Sequence, residues 1–267
     1  MSKRREQSQG QGVPKPAQKY IGFHGKKGVF SYYDKSVGEK GENVEISPKF
    51  LIVKELTTVT GFNRTNGGLY SNEIEDLTEE LDVKYFKGDN KNIIKGIWKD
   101  IKDKVNSKNV NGKFTRSIYI ALFHNKEWSL QNIQLFGKQI TSWIEMENQM
   151  KSAGINKHDV MISIDKIEYV DNGDSSYYFP TFKYQVLDDS NPQQKAIMIK
   201  ADAYYDVVED YLTKKKSGAK ADQPSARTAQ DSNNTPKDLT KEQVDEISKK
   251  DSFVEPKEEE EDDMPWD

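Results

Sequence analysis

Six stretches of this chain combine β-branched and aromatic residues between turn-forming residues, and that pattern constrains the fold more than any other feature. They are KFLIVKELTTV (Lys49 to Val59), LDVKYF (Leu81 to Phe86), RSIYIALFH (Arg116 to His124), SLQNIQLF (Ser129 to Phe136), DVMISIDKIEYV (Asp159 to Val170) and YYFPTFKYQVL (Tyr177 to Leu187). Such residues suit a pleated, half-buried surface, so each run predicts a strand. Asn66-Gly67-Gly68 and Asp171-Asn172-Gly173-Asp174 supply residues that tolerate positive φ, as hairpin turns demand. Several connections are therefore antiparallel. Helical spacing is confined to three places. Ile93, Ile97, Ile101 and Val105 form an i, i+4 stripe after Asp89-Asn90, and Pro192 opens a second segment carrying Ile197, Ala201, Tyr204, Val208 and Leu212. A third helix is predicted around Gln139 to Lys151.

The resulting class is mainly β with inserted helices. Many strands with a helix inserted among them suit a Greek-key barrel with extensions, and the commonest such barrel, the OB-fold, binds oligonucleotides across one face. A β-sandwich gives similar strand spacing. The folded body is assigned to residues 19–216. Residues 1–18 carry Lys3, Arg4, Arg5 and two prolines with almost no large apolar groups, which predicts a disordered basic arm. Residues 217–250 have linker composition, with a capping box from Thr240 and Gln243 for a short helix, and residues 251–267 form an acidic tip.

Charge separates these parts. The net charge of −4 hides a tail of 7 basic and 15 acidic residues after Lys216, and hence a mildly basic body. That asymmetry points to a nucleic-acid-binding body or an interaction tail more than to a metabolic enzyme. Cysteine is absent, which excludes disulfides and thiolate chemistry. No signal peptide and no apolar run of spanning length is found, so the expectation is a cytoplasmic protein with no membrane partner.

Marks of catalysis are few. His24, His124 and His158 are far apart in sequence and in no metal-binding spacing, GFHGKKG (Gly22 to Gly28) lacks phosphate-loop spacing, and Asp82-Val83-Lys84 is an acid-x-Lys triplet of a kind that chance produces in so charged a chain. No catalytic residue, metal or cofactor is expected. Aromatics interleaved with basic residues are plentiful, and single-stranded nucleic acid is recognised by that mixture, because bases stack on rings while cations follow the phosphates. The candidates are Lys26, Lys27, Tyr32, Tyr33, Phe62, Arg64, Arg116, Tyr119, Phe123, Tyr178, Lys183 and Tyr184. Alternation in RSIYIALFH turns Ile118, Ile120 and Leu122 inward and leaves Tyr119 and Phe123 on the opposite face as a stacking platform, unless a helix covers them. Of the adjacent Tyr32 and Tyr33, one must point outward. Trp98, Trp128 and Trp143 are read as packing residues.

The chain ends EEEEDDMPWD. Asp262, Asp263, Met264, Pro265 and Trp266, behind a flexible linker and a basic β-rich body, resemble the tips of bacterial and phage single-stranded DNA-binding proteins, with Asp267 as a departure from the bacterial pattern. The resemblance covers the tip closely and the body loosely, as in a divergent phage member. It implies non-catalytic binding of single-stranded DNA during replication, recombination or repair in a host cytoplasm. It also implies that the tip recruits a polymerase, primase, helicase or nuclease. Two alternatives stand beside it: an RNA-binding or recombination-mediator protein, and an adaptor or virion component with a docking tail.

Overall fold

The computed structural model describes residues 15–63, 65–86, 93–171, 173 and 176–217. Asp89, Asn90, Asn172 and Asp174, the linker from residue 218 on and the whole acidic tip lie outside them. The described part is mainly β, with one mixed sheet of eleven strands and three helices.

The longest strand organises the sheet. Strand β4 (Lys49–Asn63) pairs along one edge with β8 (Gly112–His124), which pairs in turn with β9 (Glu127–Phe136). Beyond β9 the order continues through β1 (Tyr20–His24), β2 (Val29–Asp34) and β3 (Glu42–Ile46), and the β9–β1 pairing is parallel. The second edge of β4 is shared. Its start pairs with β10 (Val160–Asp171), the partner of β11 (Ser176–Val186), while its end pairs with β5 (Gly67–Tyr70), followed by β6 (Glu80–Tyr85) and β7 (Ile94–Ile97). Between these hairpins the edge is satisfied piecemeal. Thr57 exchanges two backbone hydrogen bonds with Ile74, and the Val59 amide donates to Ser71 Oγ at 2.8 Å.

Both faces of the β4–β8 pair are buried, so their sequences read as nearly continuous apolar runs. One face carries Phe50, Ile52, Ile118, Ile120 and Leu122 against Trp143, Met146 and Met150 of α2 (Lys138–Ser152). The other carries Leu51, Val53, Leu56, Tyr119 and Ala121 under Ala201, Val208, Tyr211 and Leu212 of α3 (Pro192–Lys216). A third cluster seats Ile101 and Val105 of α1 (Trp98–Val105) on Val59, Leu69, Leu81 and Val83. Helix α3 starts where the sequence signals it: Asn191 Oδ1 accepts from the Gln193 and Gln194 amides ahead of Pro192, and Lys214 to Lys216 oppose the dipole at the other end.

Two expectations are corrected. The stripe from Ile93 to Val105 is helical only in its second half, because Ile94 to Ile97 extend and pair with β6, and Gly96 at φ 153° lets Ile101 fold back where a side chain would otherwise stand. Ala17 and Gln18, assigned to the arm, belong to the packed body. Ala17 is buried in the cluster under α3 and the Gln18 amide donates to the Leu130 carbonyl, because the chain entering β1 runs beside β9. Among the described residues no helix is long and apolar enough to cross a membrane.

Candidate nucleic-acid interface

Strand β8 runs without a bulge, so Lys113, Thr115, Ser117, Tyr119, Ala121 and Phe123 share one face, the face that carries α3. Tyr119, expected as half of an exposed pair, is instead fully buried there. The helix lies over it, and its hydroxyl donates to the Glu73 carboxylate at 3.0 Å. Ser117 Oγ donates to the same carboxylate at 2.6 Å and accepts from Asn132 Nδ2 at 2.9 Å. Burial, reinforced by the Glu73 charge, pushes the Tyr119 hydroxyl far above the ordinary tyrosine range. A bulge at Val53 turns two successive residues, Val53 and Lys54, toward α3. Lys54 binds Glu75 at 3.1 Å and Glu209 of α3. Burial opposes its charge, and the two carboxylates outweigh burial and hold the ammonium above its usual value. This middle region is structural.

Beyond the helix the same face opens. At the far end of β4 a cross-strand row runs Lys113, Thr60, Tyr70, Lys84, one residue from each of β8, β4, β5 and β6. Residues paired across a ladder have their side chains on one side of the sheet, so this row is cation, hydroxyl, ring, cation. One step outward, Phe62 is opposite Gly68, and the Phe86 ring fills the place where a Gly68 side chain would be. Phe86 stacks on Tyr70 at 4.6 Å and 28°. Phe62 is 61% exposed and Phe86 38%. Lys113 Nζ stands 4.7 Å from the centroid of Phe136, which pairs with Thr115 in the next row. Lys84 is held by Asp82 at 2.7 Å, whereas Lys113 has no carboxylate within bridging distance among the described residues. Four rings and two lysines from five strands thus gather on one surface. Arg64, two residues past Phe62, lies outside the described residues.

The other expected residues fall elsewhere. Phe123 is 41% exposed at the opposite end of the α3 face, its ring 5.1 Å from that of Trp128. Lys183 is exposed on β11 with Asp165 at 3.8 Å, and Tyr184 is half-buried against the α2-side core. Lys26 and Lys27 occupy the exposed β1–β2 turn and are brought close to Tyr178, whose amide donates to the Gly25 carbonyl at 2.7 Å. Tyr178 is half-buried beneath Tyr169, with ring centroids 5.0 Å apart. Tyr32 is buried, with Lys19 Nζ 4.0 Å from its ring, because β2 turns it into the core; its neighbour Tyr33 points outward. Arg116 is half-buried on the α2 face, opposite Thr57, with a buried Nε that has no hydrogen-bond partner among the described residues. It does not reach the open rows. Asp262, Asp263, Met264, Pro265 and Trp266 lie outside the described residues.

Sequence reasoning missed Tyr70, Phe86, Lys84, Lys113 and Phe136 as site residues. The Asn66-Gly67-Gly68 signal marked the hairpin but misplaced its register: Gly67 already pairs with Asn63, and that pairing sets Thr60 against Tyr70. Nothing in the sequence aligns β6, β8 and β9 with that hairpin. The chain matches no protein-family model, no curated protein and no solved structure.

Proposed function

We propose that this protein binds single-stranded DNA without sequence specificity and recruits replication proteins through its acidic tip. The observation that carries the reading is the open end of the α3 face, where Phe62, Tyr70, Phe86 and Phe136 alternate with Lys113 and Lys84. Rings at such a surface offer base stacking worth about 1–3 kcal/mol per base, and the lysines offer counterion release. Unpaired bases alone present their flat faces to such a surface, which favours single strands over duplex. No covalent step is required, so the reading is of a binding protein, acting in a host cytoplasm if the chain is phage-encoded.

The finer architecture that accompanies this reading is an OB-like barrel with extensions. Its support is β4, a strand of 15 residues with a twist-enhancing bulge, shared along one edge between two hairpins as a strongly curled sheet requires. The tip supplies the second activity. Glu258 to Asp263 steer toward a basic rim, and Met264, Pro265 and Trp266 enter an apolar pocket on the partner.

Titration of the full chain with oligo-dT, oligo-rU and duplex DNA, followed by intrinsic fluorescence, tests the reading. The single DNA strand should bind tightest, with log affinity falling against log salt at about 0.7 per neutralised phosphate. Phe62→Ala should weaken it by about 1–3 kcal/mol with the melting temperature unchanged. A salt-independent response, or equal affinity for duplex, overturns the proposal; a preference for oligo-rU transfers it to RNA.

A further inference from the structure

The α3 face is open at its other end too, and a second cross-strand row crosses it there. Trp128 of β9, Phe123 of β8, Lys49 of β4, Ser163 of β10 and Lys183 of β11 are successive pairing partners, so their side chains stand on one side of the sheet across five strands. Lys49 and Lys183 are exposed, as is Lys126 in the β8–β9 turn. Glu127 and Asp165 stand beside them and Glu145 and Glu168 line one pocket with Lys183, and among the described residues only Asp165 comes within bridging distance of a cation of the row, at 3.8 Å from Lys183. Like the far end, this row holds both rings and cations, here with the rings at one side and the cations at the other.

Both ends belong to one face of one strand. Lys113 marks the first and Phe123 the second, ten residues apart along β8, which is about 34 Å at roughly 3.4 Å per residue. A stacked single strand advancing about 3.4 Å per nucleotide covers that distance in roughly 10 nucleotides, inside the range of about 4–16 seen for single-strand sites. Between the ends lies α3, whose exposed side carries Asp202, Asp206 and Asp210 at i, i+4 spacing, the last of them paired with Lys214. That acidic stripe repels phosphates from the middle of the path.

We infer that the row Trp128–Phe123–Lys49–Ser163–Lys183 is a second contact for the same DNA strand, which engages both ends of the α3 face and bridges the acidic helix between them. The inference rests on the proposed binding of single-stranded DNA. Its consequence is a length threshold: a strand too short to span the face uses one end, and a longer one gains the second contact as an intramolecular event.

The test uses the full chain with oligo-dT of about 6 and about 16 nucleotides. Wild-type protein should bind the longer strand far more tightly than the shorter. Phe123→Ala should remove roughly fivefold or more of that gain, the equivalent of one lost stacking contact, and change affinity for the short strand less than twofold. Lys49→Gln, at an exposed position, should reduce the salt slope for the long strand by about 0.7 and leave the short-strand slope unchanged. Retention of the wild-type length gain by both variants overturns the second contact, while Phe62→Ala still weakens both strands. Failure of every oligo-dT to bind overturns the underlying reading instead.

Discussion

Tyr119 separates a residue that holds the body together from one that binds a ligand, and its substitution gives a sharp measurement. The ring is fully buried between the sheet and α3, and its hydroxyl donates to Glu73, whose carboxylate keeps Ser117 Oγ as a second donor at 2.6 Å. Removing the hydroxyl alone, in Tyr119→Phe, takes one hydrogen bond from a charged acceptor that retains another. The expected loss is about 1–2 kcal/mol, the lower part of the range for charge-assisted bonds. For a body of this size that lowers the melting temperature by roughly 2–8 °C. Tyr119→Ala also removes the ring and leaves a cavity beneath Val208 and Tyr211, which costs about 3–5 kcal/mol. Differential scanning calorimetry gives the melting temperatures, and oligo-dT titration well below them gives affinity per folded molecule. Tyr119→Phe should keep wild-type affinity. If it instead binds oligo-dT fivefold more weakly with an unchanged melting temperature, the ring reaches the ligand and the buried assignment fails.

Three further outcomes are expected. Gly68→Ala places a methyl group where the Phe86 ring lies, so it should push Phe86 off Tyr70 and weaken oligo-dT binding by roughly 1 kcal/mol; wild-type affinity in this variant would remove Phe86 from the platform. Burial raises Tyr20, Tyr119 and Tyr211 above the ordinary 10.0, while Glu209 and Glu75, outweighing burial, raise Lys54 above 10.5. Folded-state values raised in this way give stability that is complete below about pH 10 and is lost as pH rises through them, so the melting temperature should fall above about pH 10, with tyrosinate absorbance appearing together with unfolding. Ionisation of every tyrosine at about pH 10 in an intact fold would contradict that. Deleting Asp251 to Asp267 should strengthen oligo-dT binding most at low salt, whereas Trp266→Ala should leave DNA affinity alone and abolish capture of a replication partner; loss of DNA affinity in the point variant would join the two roles.

Strands β4, β6, β8, β9, β10 and β11 were legible because each holds enough β-branched and aromatic residues to be recognised without its neighbours. Helix α3 was legible from Pro192 and a long apolar period, while its Asn191 cap came only with the structure. The short strands β1, β2, β3 and β5 were not, since YIGFH or GGLY becomes a strand through partners that lie far away in sequence, such as β9 for β1. Strand β7 was hidden inside a helical stripe for the same reason. At the site, alternation correctly divided β8 into two faces, but whether the second face was open depended on α3, more than 70 residues beyond Tyr119. Hence Phe123 is exposed, Tyr119 is not, and both follow the same local rule. Phe86, Lys113 and Phe136 join the site through register, which no single segment encodes.

The order in which β4 meets its partners sets a clock on biosynthesis. Its main partner, β8, is complete only when His124 has been made, about 60 residues after β4 ends, and β10 follows some 47 residues later. At about 5–20 residues per second, the run FLIVKELTTVT waits roughly 3–12 s for its first long edge and several seconds more before the second is capped. The hairpin with β5 forms at once but protects only the last four residues of β4. During that interval a long and largely buried strand stands unpaired beside the ribosome, with lysines at positions 49 and 54 as its only charged interruptions apart from Glu55. The same strand that later joins both open ends of the α3 face is the one whose early exposure makes abundant synthesis hazardous, since many nascent chains then present it at once, and a lower expression level should raise the soluble fraction.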